Sequence, residues 1–460
     1  MNTKQLRQTI LDLAIRGELV PQDPTDEPAS VLLERIRAEK EQLIKDKKLK
    51  RDKKDNEPID EVPFELPEGW EWCRLGEVCL FKGGYAFKSN KYIEKSNNQV
   101  IRIGNVKNNN LILSNQPVYV PDTLQNEIED YHIKENDLLF TMTGTKGKRD
   151  YFYTLVVPKV RHNLYLNQRV GLLRVILSEL NIYFINLVLK HQFVLDSIFQ
   201  TETGNVNQGN IGSENTLNLL IPIPPLTEQE RIVQKVEQLL TIVDTIEQLQ
   251  EELRDLVKQT KNQVLNYAIA GKLTHQDPND EPAEALLKRI GKTTAPDTPY
   301  EKMLPKGWAC TEMQVLCQLL DGKKKKALLH PYLDVGFLRG KTEGSYKENG
   351  KYIPKNTHLI LVDGENSGEI FTTTIEGYQG STLKILNISQ EVNEQFIFYI
   401  LRKEQKLFKE SKTGSAIPHL NKKIFKELIV FLPPLAEQCR IVKKIETYFA
   451  VFDKIKNELI

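Results

Sequence analysis

The amino-acid sequence predicts an α+β fold, in which two globular mixed α/β domains are joined by two long-helix regions that form an antiparallel coiled coil. Three repeats of residue identities predict this fold. GELVPQDPTDEPA from Gly17 returns as GKLTHQDPNDEPA from Gly271. LPEGW ending at Trp70 returns as LPKGW ending at Trp308, and IPPLTEQERIVQKVE returns as LPPLAEQCRIVKKIE from Leu432. Such repeats indicate a duplicated unit that has a helical part and a globular part.

The order of the repeats predicts a pseudo-twofold circular organisation. The C-terminal segment matches residues 223–251 and the N-terminal segment matches residues 255–290, so the two chain ends together correspond to one copy of the middle. The expected regions are an N-terminal helical half of a distal region (1–60), a first globular domain (61–225), a central helical region (226–296), a second globular domain (297–434) and a C-terminal helix that completes the distal region (435–460).

A long helix is predicted from Thr227 to Ala270, because no proline or glycine interrupts this segment. At about 1.5 Å per residue, its length would be roughly 65 Å. Its apolar residues follow the alternating spacing of a coiled coil, although one face of a core helix is the alternative. The length favours the coiled coil. The apolar positions are Ile232, Val236, Leu239, Val243, Ile246, Leu253 and Val257 here, and Ile441, Ile445, Tyr448, Phe452, Ile455 and Leu459 near the C-terminus.

Short helices are predicted after each repeated DP-DEP stretch, and the first is expected to run on into the lysine-rich stretch Lys45–Lys54. The globular parts contain short β-type runs with glycine and asparagine between them. These runs are QVIRIGNV, DLLFTMTG, QRVGLLRVI, THLILVDG and STLKILNI. Each globular part also has an aromatic-rich helical segment, at residues 179–198 and 393–408. TETGNV at Thr201 has a weaker echo in SKTGSA at Ser411.

Composition narrows the function classes. The chain has 460 residues, 40% hydrophobic and 27% charged, with a formal net charge of +1. This length favours two to four domains, and the charge neither requires nor excludes a nucleic-acid partner. No apolar run reaches the roughly 18–20 residues of a membrane span, and the N-terminus has no signal-peptide core. Five cysteines without metal-type spacing are typical of a cytosolic protein. We therefore expect a cytoplasmic protein without a membrane segment.

No catalytic or metal-binding site is expected. The sequence contains no GxxxxGK[ST] phosphate loop, and both PP pairs are followed by leucine, unlike the motif for amino methylation of a base. None of the seven histidines pairs at i, i+4, so metal ligation has little support.

Polar residues at loop-like places in the first globular domain are candidates for DNA contact. Lysine and arginine suit phosphate, and asparagine, glutamine and arginine suit base edges. The alternative is ordinary turn chemistry, in which glycine and asparagine shape the loops and lysines keep them soluble. The candidates are Lys82, Tyr85, Lys88, Ser89, Thr143, Lys146, Lys148, Arg149, Asn167, Gln168 and Arg169.

The second globular domain has its own candidates, with the same alternative. Glu365 could accept a hydrogen bond from a cytosine amino group or simply cap a turn. The candidates are Lys323, Lys324, Lys325, Arg339, Lys341, Glu365, Asn366, Ser367, Ser381, Lys412 and His419.

The repeated motifs resemble those of the specificity subunit of type I restriction–modification systems. The resemblance covers the whole chain and is carried by the paired PPL-EQ-RIV motifs, AIRGELVPQDPTDEPA and AIAGKLTHQDPNDEPA, LPEGW and LPKGW, and TGTKGKRDYFYTLVVPKVRHNLYLNQRVGLLR. The second domain has no clear counterpart of GTKGKR and LNQRVG, so residue roles there depend less on the resemblance. The resemblance implies a prokaryotic, non-catalytic subunit with two target-recognition domains, each of which reads half of a bipartite site in double-stranded DNA.

The resemblance also implies partners. Two modification subunits would dock on the helical regions and carry S-adenosylmethionine, and restriction subunits would cut DNA with ATP and magnesium, so no cofactor is expected in this chain. The docking candidates are Gly17, Glu228, Gln229, Arg231, Ile232, Gly271, Glu437, Gln438, Arg440 and Ile441.

Base readers on one face of a duplex are spaced in near-multiples of about 34 Å, and a stiff helix of roughly 65 Å would set such a spacing. The rival interpretations are a coiled-coil protein scaffold without DNA reading and a specificity region detached from a single-chain restriction enzyme.

Overall fold

The computed structural model describes residues 2–49, 58–205, 207–291, 304–414 and 418–459. The chain divides into two compact units, Asn2–Gln248 and Leu249–Ile460, here called the N-terminal unit and the C-terminal unit. The predicted domain boundary at 296/297 and the lysine-rich stretch beyond residue 49 lie outside the described residues.

The N-terminal unit combines helices with small sheets. Its helices are α1 Thr3–Ile15, α2 Ala29–Lys45, α3 Leu75–Val78, α4 Gln125–Ile128, α5 Ile182–Val188, α6 Gln192–Gln200, α7 Ser213–Leu217 and the first part of α8 Leu226–Ile269. Its 3-10 turns are Ser89–Lys91, Ile103–Asn105, Asp122–Leu124 and Glu129–Tyr131.

Among the described residues of this unit, fourteen strands form five sheets. The strands are β1 Glu71–Arg74, β2 Cys79–Gly83, β3 Asn98–Ile101, β4 Val106–Lys107, β5 Asn110–Leu111, β6 His132–Ile133, β7 Leu138–Thr141, β8 Thr143–Gly144, β9 Thr154–Val156, β10 Asn163–Leu166, β11 Val170–Val175, β12 Thr203–Asn205, β13 Gln208–Asn210 and β14 Leu220–Ile223. The sheet orders are β1-β14, β2-β11-β7-β9, β3-β10-β6, β12-β13-β8 and β4-β5. Pairing of β1 with β14, with Glu71 opposite Ile223, brings the entry and exit of the globular domain together.

The C-terminal unit has the same plan. Its helices after α8 are α9 Ala283–Arg289, α10 Met313–Leu316, α11 Val335–Leu338, α12 Glu394–Lys403, α13 Gln405–Glu410, α14 Lys422–Glu427 and α15 Leu435–Leu459. Its strands are β15 Ala309–Glu312, β16 Cys317–Leu320, β17 Lys323–Lys325, β18 His330–Leu333, β19 Ser345–Lys347, β20 Gly350–Ile353, β21 His358–Leu361, β22 Ile370–Thr372, β23 Gly377–Gln379, β24 Leu383–Ile388 and β25 Ile429–Leu432. The sheet orders are β15-β25, β16-β24-β21-β22 and β17-β20-β23-β18-β19. Again the entry and exit strands pair, with Ala309 opposite Leu432.

The predicted long helix is confirmed as α8, and each unit pairs its own part of α8 with another helix in antiparallel fashion. In the N-terminal unit, Arg7 of α1 donates to Glu247 at 2.9 Å, while Asp26 after α1 accepts from Arg231 at 2.6 Å. In the C-terminal unit, Gln250 donates to the carbonyl of Leu459 and Lys261 donates to Asp453, both on α15 and both at 2.6 Å. The predicted apolar positions of α8 are buried or half-buried in the structure, because they face these partner helices and the domain cores.

Near the C-terminus, the predicted apolar stripe is wrong at two positions, Tyr448 and Leu459, which are 38% and 48% exposed. Tyr448 is exposed, and the neighbouring Phe449 is half-buried instead. The Phe449 ring lies edge-on to Tyr399 of α12 with 5.8 Å between ring centroids, and Lys261 Nζ lies over the Phe449 ring at 4.9 Å from its centroid. Packing against α12 therefore covers Phe449 in place of Tyr448.

Helix ends also differ from prediction. The aromatic-rich segment 179–198 divides into α5 and α6, because His191 caps α6 by accepting from the backbone N–H of Phe193 at 3.3 Å. The segment 393–408 likewise divides into α12 and α13. Helix α2 ends at Lys45 and does not continue into the lysine-rich stretch, since Lys47 has a left-handed φ of 57°.

The core of each unit lies where its helices meet the globular domain. In the N-terminal unit, α1, α2 and the start of α8 pack on β1, β14 and α5. In the C-terminal unit, α9, α15 and the end of α8 pack on β15, β25 and α12. Among the described residues, no single helix is long and apolar enough to cross a membrane; the bent pair α5 and α6 meets that length and composition only when taken together.

Candidate nucleic-acid interface and its duplicated support

A buried hydrogen-bond cluster joins α8 to the globular domain of the N-terminal unit, and we call it the N-terminal hub. The indole Nε1 of Trp70 donates to Glu228 Oε2 at 2.9 Å. Gln229 Oε1 accepts from the backbone N–H of Asn181 at 3.1 Å, and Gln229 Nε2 donates to the carbonyl of Pro224 at 2.9 Å. Since Asn181 is the N-cap of α5, one glutamine of α8 fixes both the start of the domain helix and the domain exit.

The C-terminal hub repeats these bonds with different residues. Trp308 Nε1 donates to Glu437 Oε2 at 2.9 Å. Gln438 Oε1 accepts from the N–H of Asn393, the N-cap of α12, at 2.8 Å, and Gln438 Nε2 donates to Pro433 at 2.8 Å. The sequence repeat is thus a repeat of specific hydrogen bonds.

The repeated DP-DEP loops close onto the same helices. Asp26 accepts from Arg231, and Asp280 accepts from Arg440. The bond from Arg231 is the main reason that the pKa of Asp26 lies below its usual value. The loops therefore add a half-buried ion pair to each hub.

The glycines that begin these loops are required by space and by conformation. Gly17 has φ +73°, and a Cβ there would lie 2.6 Å from Pro67 Cγ. Gly271 has φ +67°, and its Cβ would lie 2.6 Å from Pro305 Cγ. A left-handed backbone pressed against a proline ring accepts only glycine at low cost. Gly271 also follows the end of α8, as predicted.

The two hubs differ in how the buried carboxylate is satisfied. Glu437 Oε1 accepts from Thr274 at 3.3 Å and from Gln276 at 3.1 Å. Glu228 Oε1 is buried without a hydrogen-bond partner within the described part of the chain. Burial raises the pKa of Glu228 above its ordinary value, because its charged form is poorly solvated.

This burial corrects the predicted docking role of the hub residues. Most of the predicted docking residues are at most 1% exposed within their own unit, so they cannot touch a partner subunit directly. Those residues are Glu228, Gln229, Ile232, Glu437, Gln438 and Ile441. Arg231 and Arg440 are half-buried and engaged with aspartates. The repeated motif residues hold the support together, which leaves the exposed faces of α8 and α15 for any partner.

In the N-terminal unit, backbone hydrogen bonds bring the predicted polar segments together. Tyr85 N–H donates to Leu166 at 2.8 Å, and Gln168 N–H donates back to Tyr85 at 3.0 Å. Met142 N–H donates to Arg169 at 3.0 Å, which places the segment of Thr143 beside them. The structure therefore gathers the FKGGY, TMTG and LNQR segments at one surface.

Several predicted cations at this surface have acidic neighbours. Lys82 lies 3.5 Å from Asp130, and Arg149 lies 2.6 Å from Asp196. Both pairs are solvent-exposed, and exposed ion pairs contribute only about 0–1 kcal/mol, so phosphate can replace the carboxylates at small cost. Lys146 donates to the carbonyl of Gly204 at 2.8 Å. The other exposed polar candidates are Lys88, Ser89, Lys148, Gln168 and Arg169.

Two of the predicted DNA-contact residues have other bonds. The ring hydroxyl of Tyr85 donates to the Glu127 carboxylate, and this bond raises the pKa of Tyr85. Asn167 is buried, and its amide donates to Gln168 Oε1 at 3.2 Å. Asn167 therefore positions Gln168 rather than presenting its own amide to solvent.

Sequence reasoning missed one hairpin of this surface. Strand β13 pairs with β8, with Asn210 opposite Thr143, so the β12–β13 hairpin extends the same sheet. Glu202 Oε2 accepts from the N–H of Gly147 at 3.0 Å and fixes the hairpin to the GTKG loop. Exposed amides on the hairpin add donors and acceptors, at Asn205, Asn207 and Gln208. The weak repeat of TETGNV as SKTGSA is the sequence signal that could have indicated this hairpin.

In the C-terminal unit, some predicted residues meet at one turn. Lys412 donates to the Glu365 carboxylate at 2.9 Å, and this bond lowers the pKa of Glu365. His419 Nδ1 lies 2.7 Å from Asp363. Arg339 is paired with Glu369, whose N–H donates to the carbonyl of Asn366 at 3.1 Å. These residues form a mixed-charge surface around residues 363–369.

One candidate of this unit is corrected. Ser367 is fully buried, and its hydroxyl donates within the turn to Gly364 and lies 3.2 Å from the carbonyl of Pro418. It shapes the turn and is not available to DNA. Ser381 is exposed, with its N–H bonded to the Tyr332 hydroxyl at 2.8 Å. The exposed lysines Lys323, Lys324 and Lys325 lie on β17, and Lys341 follows α11.

Within the described ranges, no group of three or more histidine, cysteine, aspartate or glutamate side chains could hold a metal ion. A chain that repeats one hydrogen-bonded support under two polar surfaces of different sequence belongs to the class of modular recognition proteins.

Comparisons with known proteins define the class further. The family model described as the type I restriction modification DNA specificity domain matches residues 67–255 and 314–460. The EcoEI and EcoAI specificity subunits of Escherichia coli are 29% and 26% identical to this chain, covering 99% and 98% of it and 90% of each relative. The chain therefore belongs to the family of type I restriction–modification specificity subunits.

Solved structures support the same fold. One similar chain has a TM-score of 0.63 at 19% identity, and the match covers 86% of this chain and 94% of that one. Its structure is described as the structural basis of complex assembly and conformational transition of the type I R-M system. The HsdS subunit from Thermoanaerobacter tengcongensis has a TM-score of 0.51 at 19% identity, covering 87% and 96%.

Proposed function

We propose that this chain reads a bipartite site in double-stranded DNA, with one half-site read by each globular domain, and that it performs no chemical step itself. The observation that carries the proposal is the duplicated hub. The same bonds, from Trp70 to Glu228 and from Trp308 to Glu437, hold two domains whose polar surfaces differ. One support with two different reading surfaces suits a target made of two different halves.

Partner subunits complete the proposal. Two modification subunits would dock on exposed faces of α8 and α15 and would bring S-adenosylmethionine, whereas restriction subunits would bring ATP and magnesium. Docking is assigned to exposed residues of these helices, for example Glu230, Lys235 and Lys443, because the motif residues beside them are occupied by the hubs.

The test is selection from a random duplex library by this chain assembled with its modification subunits, across a salt series. We expect enrichment of two short half-sites separated by unread base pairs, with affinity falling as salt rises, since phosphate contacts release counterions. Methylated adenine in each half-site would support the partner assignment. A protein scaffold predicts no enriched sequence, and that result would reject DNA reading.

A further inference from the structure

An exposed apolar tip projects from the C-terminal unit between β17 and β18. Leu328 and Leu329 are 51% and 65% exposed, and Tyr346 on the neighbouring strand β19 is 65% exposed. Single exposed leucines are ordinary on protein surfaces. Two adjacent leucines beside an exposed tyrosine are a localised apolar projection, and we call Leu328 and Leu329 the leucine tip.

The backbone under the leucine tip is fixed. Ala327 has a left-handed φ of 59°, which is unfavourable for a residue with a Cβ. Its N–H donates to Asn349 Oδ1 at 3.2 Å, and Leu328 N–H donates to the carbonyl of Glu348 at 3.2 Å. The fully buried Tyr378 has its hydroxyl 2.7 Å from the carbonyl of Leu328. The leucines are therefore held outward on an anchored turn.

Positive charge surrounds the leucine tip. The exposed run of lysines on β17 and after it leads directly into the tip, and another exposed lysine lies on β19. Lys325 Nζ lies 3.2 Å from the ring centroid of Tyr352, and Lys347 Nζ lies 3.3 Å from that of Tyr332. The lysines are Lys323, Lys324, Lys325, Lys326 and Lys347.

The acidic groups near these lysines have other partners or belong to the anchored turn, and Asp321 is paired with Lys351 and Lys384. Glu376 accepts from the Tyr352 hydroxyl at 2.7 Å and lies 3.9 Å from His330, and Glu348 belongs to the anchoring turn. Exposed lysines beside an apolar projection match a polyanion with an apolar interior. Stacked bases between two phosphate backbones have this arrangement, whereas an apolar socket on a protein gives the lysines a role only if carboxylates line its edge.

We propose that the leucine tip inserts between stacked base pairs of the DNA half-site bound by the C-terminal unit, while the surrounding lysines hold the flanking phosphates. This inference rests on the proposed function. Apolar side chains that enter a base step unstack it for a few kcal/mol and kink the duplex by about 20–90°. Pyrimidine–purine steps unstack most easily. The leucine tip would therefore favour such a step in the DNA without making hydrogen bonds to the bases.

The experiment measures DNA bending by the full-length chain assembled with its modification subunits. A duplex carrying the selected site has a donor and an acceptor dye at its ends, and energy transfer reports the bend. The variant is Leu328→Ser with Leu329→Ser. Leu407→Ser is the matched control, because Leu407 is 39% exposed on α13 of the same unit. Exposed positions allow these changes without loss of fold, which circular dichroism checks.

We expect the unaltered complex and the control to bend the duplex, and the double variant to bind about tenfold more weakly, ~1.4 kcal/mol, with the bend lost. Lys324→Ala should weaken binding to all sequences and reduce the salt dependence, with the bend kept. If the double variant and the unaltered chain bend the duplex equally, the inference is overturned. The inference is also overturned if the double variant keeps DNA binding and bending and loses only binding to another protein. Absence of specific binding by the unaltered complex would instead reject the proposed function.

Discussion

At the residue scale, the buried glutamates Glu228 and Glu437 occupy matching positions but have different environments. Thr274 gives Glu437 a hydroxyl donor at 3.3 Å. In the other repeat, Thr274 is matched by Val20, which has no hydroxyl, and Gln276 is matched by Gln22, whose amide donates to the carbonyl of Gly17 at 2.9 Å. Glu228 Oε1 is left without a partner within the described residues. An unsatisfied buried acceptor is costly, so the N-terminal hub is the less well satisfied of the two.

Val20→Thr should therefore stabilise the N-terminal hub. A hydroxyl at this half-buried position can donate to Glu228, and a hydrogen bond to a charged group contributes about 1.5–3 kcal/mol, partly offset by the lost methyl group. The expected net gain is about 1 kcal/mol. Hydrogen exchange of the peptide that covers residues 223–236 measures this gain in stability, because exchange rates report the local opening of each segment. Thr274→Val is the reciprocal change and should speed exchange in 432–445; unchanged exchange in both would contradict the account.

The raised pKa of Glu228 predicts a pH dependence. The folded state holds this proton more tightly than the unfolded chain, whose pKa is near the ordinary 4.5. The contribution to the free energy of unfolding is thus fully present below pH 4.5 and is lost as pH rises through the folded pKa. Glu228→Gln cannot ionise, so its stability relative to the unaltered chain should grow over that pH range. Urea unfolding across the range measures the difference, and a pH-independent difference would contradict the prediction.

At the element scale, the loops that begin at Gly17 and Gly271 each join two helices and pack against the entry of a globular domain. Gly17→Ala should destabilise the N-terminal unit by about 2–5 kcal/mol, from a left-handed backbone and overpacking against Pro67. Gly147→Ala is the control, because Gly147 has φ +76° with nothing within 4 Å of an added Cβ. It should lose only about 1–2 kcal/mol. Equal losses in thermal or urea unfolding would show that the contact with Pro67 has no cost.

The elements show which features the sequence could predict. The long helix, the repeats and the main strands have local signals, such as the absence of proline or glycine from Thr227 to Ala270. The division between α5 and α6 depends on a cap by His191, and the shift to Phe449 depends on Tyr399 from a distant segment. Such contacts leave no periodic pattern in the sequence.

The candidate surfaces follow the same rule. Lysine, asparagine and glycine clusters predicted three segments that the structure brings to one surface of the N-terminal unit. The pairing of Thr143 with Asn210 and the buried hydroxyl of Ser367 depend on non-local contacts. Residue types therefore predicted the segments, whereas packing decided which side chains remain free.

At the scale of the whole molecule, the duplicated hub makes the two globular domains interchangeable in principle. The domain of the N-terminal unit ends where β1 pairs with β14, and that of the C-terminal unit ends where β15 pairs with β25. Each also supplies a tryptophan and a capping asparagine to a glutamate and a glutamine of a long helix. A globular domain that is transferred with its tryptophan and its capping asparagine therefore brings the groups that bond it to the long helix.

Replacing residues 66–225 by residues 304–434 should therefore give a folded chain with the second reading surface in both places. Trp308 would donate to Glu228, and Asn393 would bond to Gln229, as they do to Glu437 and Gln438 in the C-terminal unit. Duplex selection with the chimera and its modification subunits should return the second half-site twice and the first not at all. The same chimera with Trp308→Phe in the transferred copy is the control, since it removes the indole N–H donor and should weaken folding. A chimera that folds but still selects the first half-site would show that base reading lies outside the globular domains.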